Sequence, residues 1–186
     1  MNITKTDLAG AFLIIPKRFE DARGFFSESW NKQSLHEAGL DLPDFVQDNH
    51  SLSRPAGTLR GLHFQSPPHA QGKLVRCGQG ALLDVVVDIR KGSPTYGKWF
   101  GTILSAENGR QLWIPAGFLH GFASRVPDTE IVYKCTDHYA PECDGSVRWD
   151  SVGIDWGVSE PLLSEKDATS PLFSEFDSPF TWEGAA

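Results

Sequence analysis

The chain predicts a mostly β fold, a barrel or sandwich that is closed or nearly closed. Two observations point there. Short runs rich in Val, Ile, Phe, Trp and Thr recur along 186 residues and are separated by Gly, Pro, Asn and Asp, the spacing of strands and turns in an all-β domain. Leu83, Val85, Val87 and Ile89 alternate with Asp84, Val86 and Asp88, a period of two that turns one face to a core.

Taken in order, strands are predicted at Phe12–Pro16, Gly24–Trp30, Phe45–Ser53, Thr58–Gln65, Lys73–Cys77, Ala81–Ile89, Lys98–Ser105, Gln111–Ile114, Phe118–Ser124 and Ile131–Thr136. One short N-terminal helix is predicted from Asn31 to Ala38, with Asn31 as its N-cap and Gly39 ending it. The tail from Glu160 is rich in Ser, Pro and Glu and predicts loops and short turns laid over the β-structure. No repeat, low-complexity stretch or linker divides residues 1–186, so a single domain is expected. Phe12–Pro16 and Gly24–Trp30 are expected to leave unpaired edges. Such edges invite a second chain, and a homodimer is the expected assembly.

A net charge of −7 and a pI near 5.3 argue against nucleic acid or an anionic membrane as partner. A few clustered cations can still form an anion pocket. No apolar stretch reaches membrane-spanning length and no leader-like N-terminus is present, so a cytoplasmic protein is expected. Cys77, Cys135 and Cys143 are odd in number and lack Cys-x-x-Cys spacing. That pattern fits buried thiols in a reducing compartment.

His63, in Leu59-Arg60-Gly61-Leu62-His63-Phe64-Gln65, is a candidate base if it faces the lumen; alone, it is a structural histidine. Strict alternation puts Arg60 and His63 on opposite faces. For both to serve one pocket the strand must be irregular, and Gly61 is where a bulge forms most easily. Pro115-Ala116-Gly117-Phe118-Leu119-His120 reads like the second half of a cupin metal site. The first half, His-x-His with a downstream glutamate, is missing, and two histidines do not complete a metal's ligand set. A metal-free pocket turned to proton transfer is expected. Tyr133 alone is a packing residue, but opposite a histidine its phenol can deliver a proton. Asp167 alone is a surface charge, but bonded to an imidazole it fixes the tautomer. Arg23, Arg60, Lys73 and Lys166 would suit a diphosphate and a developing enolate oxygen if they converge. Spacing does not establish that convergence.

Several stretches occur together in order: Arg23-Gly24-Phe25-Phe26-Ser27-Glu28, Gln47-Asp48-Asn49, Leu59–Gln65, Val87–Gly97, Ile114–Phe122, Tyr133-Lys134, Tyr139-Ala140-Pro141-Glu142 and Leu163–Asp167. Jointly they resemble the dTDP-4-dehydrorhamnose 3,5-epimerase family over about residues 1 to 175. The resemblance implies a cupin-type jelly roll and a cofactor-free isomerase acting on a dTDP-4-keto-6-deoxy sugar. It implies His63 as the base with Asp167 as its dyad partner, and Tyr133 as the acid. Substrate contacts are implied at Arg23, Phe26, Glu28, Gln47, Asn49, Arg60, Lys73, His120 and Lys166, with Tyr139 stacking on the nucleotide base. Asp144 stands where the family carries a glutamate, and Trp149–Trp156 is shorter than the usual pattern. Three alternatives stay open at this level: inversion at one carbon only, a metal-dependent cupin enzyme, and a non-catalytic nucleotide-sugar binding module.

Overall fold

The computed structural model describes residues 1–184. Among these, strands β1 (Asn2–Lys5), β2 (Phe12–Ile15), β10 (Gln111–Ile114), β7 (Lys73–Gln79), β12 (Thr129–Cys135) and β5 (Gln47–Ser53) form an antiparallel six-stranded sheet in that order. A second, five-stranded sheet runs β13 (Asp144–Ser146), β6 (Leu59–Gln65), β11 (Phe118–Ser124), β8 (Ala81–Asp88) and β9 (Trp99–Ser105). The mostly β expectation holds. The two sheets are a sandwich and do not close into a barrel.

Three apolar layers follow from the pleat, because successive side chains leave opposite faces of a strand. Between the sheets lie Val75, Cys77, Leu82, Val86, Leu104, Leu112, Phe118, Phe122 and Ile131. On the outer face of the second sheet, Leu59, Leu62, Val85, Val87, Ile89 and Leu119 are covered by Val147, Ile154, Trp156, Phe173, Phe176 and Phe180. The short segment around Trp149–Trp156 is thus part of that cover, with Trp156 Nε1 donating to the Trp149 carbonyl at 3.0 Å. Both faces of β8 are therefore buried. Asp84 and Asp88, placed by alternation opposite the core-facing set, are fully buried too. Asp88 is held by Arg90, Ser93 and Thr95.

The outer face of the first sheet packs on Leu35 of α1 (Lys32–Glu37) and on Leu40 and Leu42. Asn31 caps α1 through Ser34 N at 3.0 Å, and Gly39 follows it at φ +83°, as predicted. Other boundaries shift. Gly24–Trp30 shrinks to β4 (Gly24–Phe26), which pairs only with β3 (Phe19–Asp21). Phe12–Ile15 is no free edge, since β1 and β10 flank it. The tail is not loops alone: it contains α2 (Glu165–Thr169). All three cysteines are buried and free.

Candidate active site

β6 and β11 pair so that Arg60 opposes Phe122 and His63 opposes His120. Three steps along β6 match two along β11, an inserted residue that defines a bulge. Gly61 permits it. Its φ is +134°, and a Cβ there would lie 2.6 Å from Gly121 Cα, closer than any side chain tolerates. The bulge lets Arg60 and His63 line one depression together with Leu163, Lys166 and Asp167.

His63 Nε2 meets Asp167 Oδ1 at 2.5 Å. Asp167 sits in the first turn of α2, where Ser164 Oγ caps the helix by accepting from Asp167 N at 3.1 Å. The aspartate is 2% exposed. Burial pushes its carboxyl up, but the His63 hydrogen bond and charge, Ser164 and the Gly61 N–H outweigh that push and hold it below the ordinary carboxylate range. An ionised Asp167 keeps a proton on Nε2, so Nδ1 is the nitrogen left to act as base.

His63 also lines a cleft of about 370 Å³. Its facing wall comes from the first sheet. Tyr133 opposes Asn49 on β5 and Val75 on β7, and Cys135 opposes Gln47 and Lys73, so the pleat puts these side chains on one face. Gln47, Asn49, Lys73 and Tyr133 line the cleft with His63, Tyr139, Asp144 and Lys166. Burial raises the Tyr133 phenol, Cys135 adds to the rise and Arg60 opposes it; it stays protonated at neutral pH. Burial lowers the Lys73 ammonium, while Cys135, Asp144 and Asp84 work against the loss of its proton.

One end of the cleft is braced by hydrogen bonds between side chains and the backbone of residues 139 and 140. Gln47 Oε1 accepts from Tyr139 N at 2.9 Å, and Gln65 Oε1 accepts from Ala140 N at 3.0 Å. The Tyr139 ring stays 57% exposed, with its hydroxyl 3.4 Å from Asp144 Oδ2, and Asp144 is ion-paired with Lys166. Among the described residues, no group of three or more His, Cys, Asp or Glu side chains is placed to hold a metal ion.

The family model for dTDP-4-dehydrorhamnose 3,5-epimerase matches residues 5–175. The chain belongs to this family. The epimerase of Salmonella typhimurium is 51% identical over 178 residues, spanning 94% of this chain and 97% of the relative. Among solved structures, the dTDP-4-dehydrorhamnose 3,5-epimerase from Bacillus anthracis, with TDP and PPi bound, superposes at a TM-score of 0.90 with 48% identity, covering 92% of this chain and 99% of that one. The dTDP-6-deoxy-D-glucose-3,5-epimerase from Legionella pneumophila, in complex with dTDP-4-keto-L-rhamnose, gives 0.92 with 44% identity, covering 98% and 99%.

Of the sequence-predicted contacts in this epimerase-family chain, Arg60 lines the adjoining depression beside His63, and three more lie away from the cleft. Arg23 and Phe26 sit on the β3–β4 hairpin, where Arg23 is ion-paired with Asp21. Glu28 accepts from Asn31 at the start of α1. The hairpin pairs with neither sheet and leaves Phe19, Phe25 and Phe26 53%, 56% and 66% exposed. His120, the register partner of His63 on β11, is buried, with its Nε2 2.6 Å from Asp84 Oδ1. Asp84 was not singled out from the sequence, although a charge inside Leu82-Leu83-Asp84-Val85-Val86 was the available signal. Gln65 was missed too, because a glutamine at a strand end carries no signal of its own.

Proposed function

We propose that this chain, an isomerase of the dTDP-4-dehydrorhamnose 3,5-epimerase family, inverts C3 and C5 of dTDP-4-dehydro-6-deoxy-D-glucose to give dTDP-4-dehydro-L-rhamnose. One observation carries the reading: His63, bonded to Asp167, lines the same cleft as Tyr133, which comes from the opposite sheet. A hydrogen on a carbon beside the C4 ketone becomes acidic when the enolate is stabilised as it forms. His63 Nδ1 takes that proton while Asp167 stabilises the imidazolium. Lys73 donates to the enolate oxygen from the Tyr133 wall. Tyr133 returns a proton to the opposite face, inverting the centre. C3 and C5 both flank the ketone, so one base and one acid serve both once solvent has taken the proton from His63 and returned one to Tyr133.

Tyr139, with its backbone fixed by Gln47, stacks on the thymine, and Arg60, Lys166 and Asn49 contact the diphosphate and sugar. Asp144 holds Lys166 and approaches the Tyr139 hydroxyl, a role its shorter side chain reaches. The exposed hairpin carrying Arg23 and Phe26, with Glu28 beyond it, completes the cleft of a second copy in a cytoplasmic homodimer.

Incubation with dTDP-4-dehydro-6-deoxy-D-glucose in D₂O, followed by NMR, tests the assignment. Deuterium at C3 and C5 with the L-sugar as product supports it. Exchange at one carbon makes the chain a single-carbon epimerase, no exchange makes it a binding module, and activity abolished by chelation makes it a metal enzyme.

A further inference from the structure

Across the β6–β11 register from His63 lies a second carboxylate–histidine pair that the proton path does not use. Asp84 is fully buried on β8, facing the apolar layer between the sheets beside Val86 and Phe122. Oδ1 lies 2.6 Å from His120 Nε2, while Oδ2 is buried with no hydrogen-bond partner among the described residues. Burying a carboxylate is costly, and leaving one oxygen unpaired adds to the cost. A site selected only for stability is commonly served as well or better by apolar residues. A carboxylate kept in that position points to a use beyond packing.

Two groups feel it. His120 is the register partner of His63 across β6 and β11. Lys73 is the other: the Asp84 charge opposes the loss of its proton.

We infer that Asp84 is a positioning residue for epimerisation: it pins the proton on His120 Nε2 and the ring's orientation, so that Nδ1 alone is left to meet the substrate. The inference rests on the epimerase reading of the cleft.

The test combines Asp84→Asn, His120→Asn and the double variant with histidine-selective ¹⁵N NMR. Asp84→Asn should slow deuterium exchange at both carbons by roughly 10–100-fold, the loss typical of removing a group that orients a ligand. Its affinity for dTDP should stay within about threefold of wild type, because the nucleotide end is braced by Gln47 and Gln65. A purely structural aspartate would not give that split. The double variant should be no slower than the slower single one, as residues acting through one another are non-additive. In the wild type, which needs no variant to fold, His120 should carry its proton on Nε2. A full-rate Asp84→Asn, losses that multiply in the double variant, or a wild-type His120 with Nε2 unprotonated would each overturn the role. A wild-type protein inert toward the keto sugar overturns the epimerase reading instead, a separate and distinguishable result.

Discussion

His63 and Asp167 are 104 positions apart in the chain, yet their side chains meet at 2.5 Å. One comes from a bulged strand of the second sheet and the other from the first turn of a five-residue helix capped by Ser164. The bond depends on both local devices. The bulge at Gly61 turns His63 toward the cleft, and α2 carries Asp167 inward against it.

Asp167→Asn should lower exchange at C3 and C5 by about 10²–10⁴-fold, as an amide no longer holds the tautomer or stabilises the imidazolium. Stability should respond as well. The folded-state pKa lies below the unfolded value of about 3.9, so the carboxylate's contribution is full above that pH and is lost as pH falls through the folded value. Urea midpoints of wild type and variant should differ most at neutral pH and converge in acid.

Lys73 should set the alkaline limit of turnover. Burial lowers its pKa from the usual 10.5, so its proton is lost earlier on raising pH, and kcat should fall well before a free lysine would titrate. Lys73→Met should reduce kcat by roughly 10²–10³-fold, the value of one donor to a developing oxyanion, with dTDP binding retained. A pH profile of kcat read beside calorimetric dTDP affinities checks both.

Gly61→Ala should damage the fold and the site together. Positive φ and the clash with Gly121 combine backbone strain with overpacking, about 3 kcal/mol or more. For a chain of this size the melting temperature should drop by on the order of 10 °C. Differential scanning calorimetry reads it directly.

The hairpin should act between subunits. Light scattering at micromolar concentration should give a dimer, and Arg23→Ala should lose substrate affinity without loss of that dimer. A fully active monomer contradicts the proposal.

The strand pattern was legible because short β-branched and aromatic runs set it, and α1 because Asn31 and Gly39 mark both ends. The C-terminal helix was not: five residues inside a Ser- and Glu-rich tail have no apolar period to reveal them. Asp84 and Asp88 misled the reading of faces, since a two-residue period cannot tell a solvated carboxylate from a buried one that has partners. The edge argument failed at Phe12–Ile15 because the strand Asn2–Lys5, polar in sequence, covers it. Among the site residues, the His63–Asp167 pair followed from the resemblance and not from spacing. Bringing residues 63, 133 and 167 together takes two sheets and a helix, and nothing local in the sequence encodes that.

The account turns most on Tyr133 delivering the second proton. Tyr133→Phe keeps the ring and its packing but removes the donor, while His63 still takes protons and returns them on its own face. In D₂O the variant should wash deuterium into the substrate yet form inverted sugar at a rate lowered by about 10²–10⁴-fold. Proton NMR reads exchange and inversion in the same tube. A separation of the two supports the account, whereas equal loss of both, or undiminished inversion, would contradict it.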